Sequence, residues 1–107
     1  MPYVMVTSWV PNIRVNKSVE IYMELMKKYP PQDWENDVVL LGVMADGDCI
    51  KSISVSEVPK AKLGEAMELA AKRMLLFWPI EGYRYVIDTL LTGSEAMPMI
   101  GKAMPQV

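Results

Sequence analysis

The sequence predicts an α+β domain built from a four-stranded antiparallel sheet and two helices, on three observations. Four short runs rich in Val, Ile, Leu and aromatic residues are separated by two longer segments whose apolar residues recur at helical spacing. The dipeptide Asp46-Gly47 joins two of the runs and accepts the positive φ angles of a tight type I′ hairpin turn. With 107 residues, 51% of them apolar and 22% charged, the chain has room for one hydrophobic core and no second domain.

The first strand reads as Tyr3 to Val10 and stops at Pro11. Tyr3, Met5, Thr7 and Trp9 share one face, and Val4, Val6, Ser8 and Val10 share the other. Asn12 to Asn16 connects to a helix over Lys17 to Tyr29, with Asn16 or Ser18 placed to cap its free backbone N–H groups. Val19, Tyr22, Met23 and Met26 form its buried stripe, widened by Ile21 and Leu25. Pro30-Pro31 ends the helix, and Gln32 to Asp37 forms a loop whose Trp34 is either a lid on the core edge or a ligand contact.

Val38 to Val58 is the hairpin, turning at Ala45-Asp46-Gly47-Asp48. By strict alternation Val38, Leu40 and Met44 lie on one side of its first strand and Val39, Leu41 and Val43 on the other. In its second strand Ile53 and Val55 share a face, and Ser52, Ser54 and Ser56 form a hydroxyl stripe opposite. Pro59 opens the second helix, whose stripe is Leu63, Ala66, Met67, Ala70, Met74 and Phe77. Tyr83 to Leu91 is the fourth strand, with Tyr85 and Ile87 on one face and Arg84 and Asp88 on the other. The domain covers residues 1–92, and residues 93–107 form an arm or short helical turn containing Met97, Met99 and Met104.

The order strand, helix, strand, strand, helix, strand is the ferredoxin-like split βαβ pattern. Right-handed crossovers then give strand order 4-1-3-2 with both helices on one face. The opposite face, carrying Tyr3, Met5 and Trp9, is too apolar to leave in water, and a second copy of the chain is its simplest cover. In the segments YVMVTSWV, VVLLGVM, CIKSISVSEV and YRYVIDTLL the chain resembles the dimeric α+β barrel superfamily, over about residues 3–92. The resemblance implies two subunits joined through their open sheet faces around a cavity. Members include cofactor-independent monooxygenases, isomerases, haem-handling enzymes and effector-binding domains, so the fold does not select a function.

The absence of histidine removes His-based zinc sites and imidazole-activated nucleophiles, and no other constellation points to a reaction. No metal and no cofactor is expected. The turn Asp46-Gly47-Asp48 lacks the later ligands of a calcium loop. Cys49 is the only cysteine, so no disulfide forms within the chain, and no secretory signal or membrane-spanning run is recognisable. A net charge of −2 with scattered Lys and Arg argues against nucleic acid. The expectation is a cytoplasmic homodimer that binds a small organic molecule between its two sheets. The candidate site is Thr7, Trp9, Ser52, Ser54, Ser56, Arg84 and Asp88, with Arg84 on an acidic group and Trp9 stacked on a ring. At these positions a solvated sheet surface with an Arg84–Asp88 pair is the competing reading. For the whole protein the alternatives are a monooxygenase- or isomerase-like enzyme and an oligomerisation or protein-interaction module.

Overall fold

The computed structural model describes residues 1–101. Met104 and Pro105 of the expected arm lie outside the described residues. Strand β1 (Tyr3–Pro11) leads through a 3-10 turn into helix α1 (Val15–Lys28), followed by β2 (Asn36–Asp46) and β3 (Cys49–Glu57). Helix α2 (Leu63–Leu75), β4 (Arg84–Leu90) and a single helical turn, α3 (Gly93–Ala96), complete the order. All pairings are antiparallel and the sheet order is β2-β3-β1-β4, which read from the other edge is 4-1-3-2.

Register assigns every face. Val4, Val6, Ser8 and Val10 stand opposite Ser56, Ser54, Ser52 and Ile50 of β3, and paired residues share a side of an antiparallel sheet. Both helices pack on that side. Val10 joins Ile21, Leu25, Phe77 and Ile80 in one buried cluster, and Val4 joins Val58, Ala66 and Ala70 in another. Trp34 packs against the second cluster, as a lid on the core edge would. Phe77 and Tyr83 stack with ring centroids 4.7 Å apart.

Four local expectations change. Helix α1 begins at Val15, directly after the turn that Pro11 starts, so neither Asn16 nor Ser18 caps it; Ser18 instead donates to the Val15 carbonyl at 2.7 Å. Its buried side is Ile21 and Leu25, while Val19 and Met23 are 54% and 60% exposed, because the helix stands away from the sheet along that flank. The hairpin loop is Gly47-Asp48, between the paired Asp46 and Cys49. Only Gly47 has positive φ (61°), which fits a type II′ turn and excludes type I′.

Strict alternation also fails in β2. Register shifts between Asp37 and Val39, and between Val39 and Gly42, insert extra residues, so Leu40 and Leu41 together oppose the single residue Ser54. Such a bulge turns neighbouring side chains toward one side, and both leucines border the helix side of the sheet. Val39, Gly42 and Met44 then share the open face with Val55, Ile53 and Lys51.

Candidate functional site

A cleft of about 340 Å³ separates α1 from the β2–β3 half of the sheet. Val4, Val6, Ser8, Ser52, Ser54 and Ser56 form its floor. Val15, Tyr22, Leu25 and Met26 of α1 form its roof, and Leu40, Leu41 and Val43 flank its mouth. The floor is low because serine occupies positions where a core strand would carry valine or isoleucine. The three serines were expected on the open face. Register places them beneath the helices instead, because Ile53 and Val55 pair with Thr7 and Met5 across the opposite side.

The seven expected site residues therefore divide. Ser52, Ser54 and Ser56 line the cleft together with Ser8, directly opposite Ser52, whose membership sequence reasoning missed. Its signal was a lone hydroxyl in the otherwise apolar row Val4, Val6, Val10. Ser56 donates to Asp37 at 2.8 Å. Ser52 and Ser54 face the cleft without a side-chain partner among the described residues.

Thr7, Trp9, Arg84 and Asp88 lie together on the open face, paired across β1 and β4 as Thr7 with Val86, Trp9 with Arg84 and Met5 with Asp88. Trp9 Nε1 donates to Asp46 at 2.9 Å, and the Arg84 guanidinium and Lys51 ammonium lie 5.0 and 5.6 Å from its ring centroid. Cation–π attraction at this range holds both cations on the indole. Arg84 thus stacks on Trp9 and makes no ion pair with Asp88 among the described residues.

The end of the cleft is fixed by Arg73 of α2, whose place beside Leu63, Ala66 and Ala70 in the helix sequence suggests only a residue off the buried stripe. Its guanidinium forms two hydrogen bonds with Glu35, at 2.8 and 2.9 Å. It donates two more to the carbonyls of Tyr29 and Pro30, at 3.1 and 3.0 Å. Glu35 also accepts from the Gln32 backbone N–H at 2.9 Å. Burial pushes the Glu35 carboxyl upward, but the hydrogen bonds from Arg73 and Gln32 and the charge of Arg73 outweigh it and hold the pKa below its usual value of 4.5. On the wall near Ser8, burial raises the Tyr83 hydroxyl above its usual value of 10.0.

Of the charged residues lining the cleft, Glu35 and Arg73 are locked together and Asp37 holds Ser56, so what is left facing the cleft is serines, tyrosines and apolar side chains. This set suits binding, since a serine nucleophile needs an adjacent base. Among the described residues no cluster of acidic or cysteine side chains could hold a metal ion. No helix among them is long and apolar enough to cross a membrane. No protein-family model matches the chain, and no curated protein matches it at a significant level.

Proposed function

We propose that the chain binds a small organic molecule in the cleft between α1 and the β2–β3 half of the sheet. The guest has a mainly apolar skeleton and carries one or two hydroxyl or carbonyl groups. The supporting observation is the cleft's composition: aliphatic and aromatic walls over a floor of serine hydroxyls, at a volume typical of small-molecule sites. Burying a polar group of the guest needs a hydrogen-bond partner, and Ser52 and Ser54 offer one. A cytoplasmic location fits the single cysteine, Cys49.

The test compares naphthalene with 2-naphthol, which differ by one hydroxyl, on the wild type and on Ser54→Ala and Ser54→Leu. The expected result is preferential binding of 2-naphthol. Ser54→Ala removes the preference, and Ser54→Leu, which fills the floor, weakens both probes. Equal responses from all three proteins would refute the cleft as the site.

A second reading follows the resemblance to dimeric α+β barrels and puts the ligand between the open sheet faces of two copies, as a binding protein or as a monooxygenase- or isomerase-like enzyme. It is favoured by the Trp9 cluster, where Arg84 and Lys51 supply positive charge beside an aromatic plane. Binding lost in Trp9→Ala and Arg84→Ala but retained in Ser54→Leu would select it.

A further inference from the structure

We infer that a second copy of the chain pairs along the free edge of β2 and closes the mouth of the cleft. Among the described residues strand β2 has one neighbour, β3, so the outer backbone N–H and C=O groups of this 11-residue strand have no partner there. Protein edges of this kind are normally guarded by Lys, Pro, a covering element or a bulge. Asn36–Asp46 contains no lysine, arginine or proline, and its acidic residues, Asp37 and Asp46, sit near its two ends. The two register shifts lie before Gly42, leaving Gly42 to Asp46 in regular pairing with β3 and regular along the outer edge.

The side chains of this strand are exposed on both faces. Val38, Val39, Leu40, Leu41, Val43 and Met44 are each between 39% and 60% exposed. Val19 of α1, which lines the same cleft, is exposed as well. A strand this apolar and exposed on both faces is surface that soluble monomers rarely leave in water. Stable homodimers remove on the order of 800 Å² per partner, and the β2 and α1 patch is where that removal has apolar surface to act on.

A second copy fits this edge because it brings an equally unguarded strand. Antiparallel pairing about a two-fold axis normal to the sheet satisfies both edges at once and keeps all helices on one side. It sets each partner's α1 across the mouth of the other's cleft, beside Leu41 and Val43. Docking through the open face would leave both leucines and Val43, which border the cleft, in water. The closure of the cleft rests on the binding proposal above, whereas the pairing itself does not.

The test is molar mass by light scattering at micromolar concentration for the wild type, Val43→Lys and Val86→Lys, with circular dichroism to verify folding. Val43 and Val86 are both exposed strand positions, on the β2 edge and the open face respectively. The expected result is a dimeric wild type, a folded Val43→Lys at half that mass, and a dimeric Val86→Lys. A monomeric wild type, or a Val43→Lys that remains dimeric, overturns the pairing. 2-Naphthol titration then separates the two claims on Met44→Lys, an edge substitution whose side chain lies on the open face outside the cleft: as a monomer it should bind roughly tenfold more weakly than the wild type. Equal affinity overturns the closure while the pairing stands. A dimeric wild type that binds no probe refutes the cleft reading alone.

Discussion

Replacing Glu35 by alanine isolates the interaction that fixes the far end of the cleft. The carboxylate is 5% exposed and its partner Arg73 is 17% exposed, so this pair is far from the solvent-screened surface case. Removing one partner of a buried ion pair costs about 3–5 kcal/mol, because the remaining charge is left uncompensated. Arg73 retains two carbonyl acceptors, at Tyr29 and Pro30, and some access to water, which reduces the expected loss to about 2–3 kcal/mol. In a domain of this size that corresponds to a fall in Tm of roughly 10 °C or more. Urea unfolding of Glu35→Ala, Arg73→Met and the double variant forms a cycle whose coupling measures the pair, with the double variant expected to be little worse than either single one. The pH dependence supplies a second check. Because folding depresses the Glu35 pKa, its contribution is fully present above the unfolded value near 4.5 and is lost as pH falls through the lower folded value. The stability gap between wild type and Glu35→Ala should therefore be constant near neutrality and narrow in acid. A gap below about 0.5 kcal/mol at pH 7, as an exposed pair would give, refutes the reasoning.

Three further outcomes follow from the geometry. Gly82 has φ 82°, and a Cβ there would meet Pro11 Cγ at 2.8 Å, so Gly82→Ala should lower stability by about 1–3 kcal/mol in urea unfolding, whereas Gly47→Ala, with open space around it, should cost only about 1–2 kcal/mol. Ser54→Leu should leave the melting temperature unchanged or raise it while weakening 2-naphthol binding, because it fills a void; a loss of both would mean that the floor is already closely packed. Trp9→Phe removes the Asp46 hydrogen bond and should lower stability by about 1 kcal/mol, with little effect on a probe bound beneath α1.

Much of the fold was legible because it depends on period and punctuation. Pro11, Pro30-Pro31 and Pro59 bound the elements, and the segments between them show clean strand or helix spacing. The site was less legible because its faces depend on register, a property of pairs of strands. Hydrophobicity alone assigns Ile53 and Val55 to the core and the serines to solvent; pairing with β1 reverses this, since Val4 and Val6 carry Ser56 and Ser54 to the helix side. The open-face group Thr7, Trp9, Arg84 and Asp88 was placed together from alternation within β1 and β4, neither of which has a bulge to disturb it. Alternation failed in β2 for the converse reason, because an inserted residue leaves no mark in composition. Arg73 and Glu35 are 38 positions apart, and no local pattern connects them.

Helix α1 is anchored at both ends. The Asn12 backbone N–H, in the turn just before it, donates to the Asp48 carbonyl at 2.9 Å, and Arg73 grips the Tyr29 and Pro30 carbonyls just after it. A roof tied at two points has no hinge on which to swing, so under the binding proposal a guest would enter sideways, past Leu41 and Val43, while the helix stays in place. Under that proposal a filled cleft slows amide exchange within α1 only by the general stabilisation that binding gives the folded state, with no added protection from closing a lid.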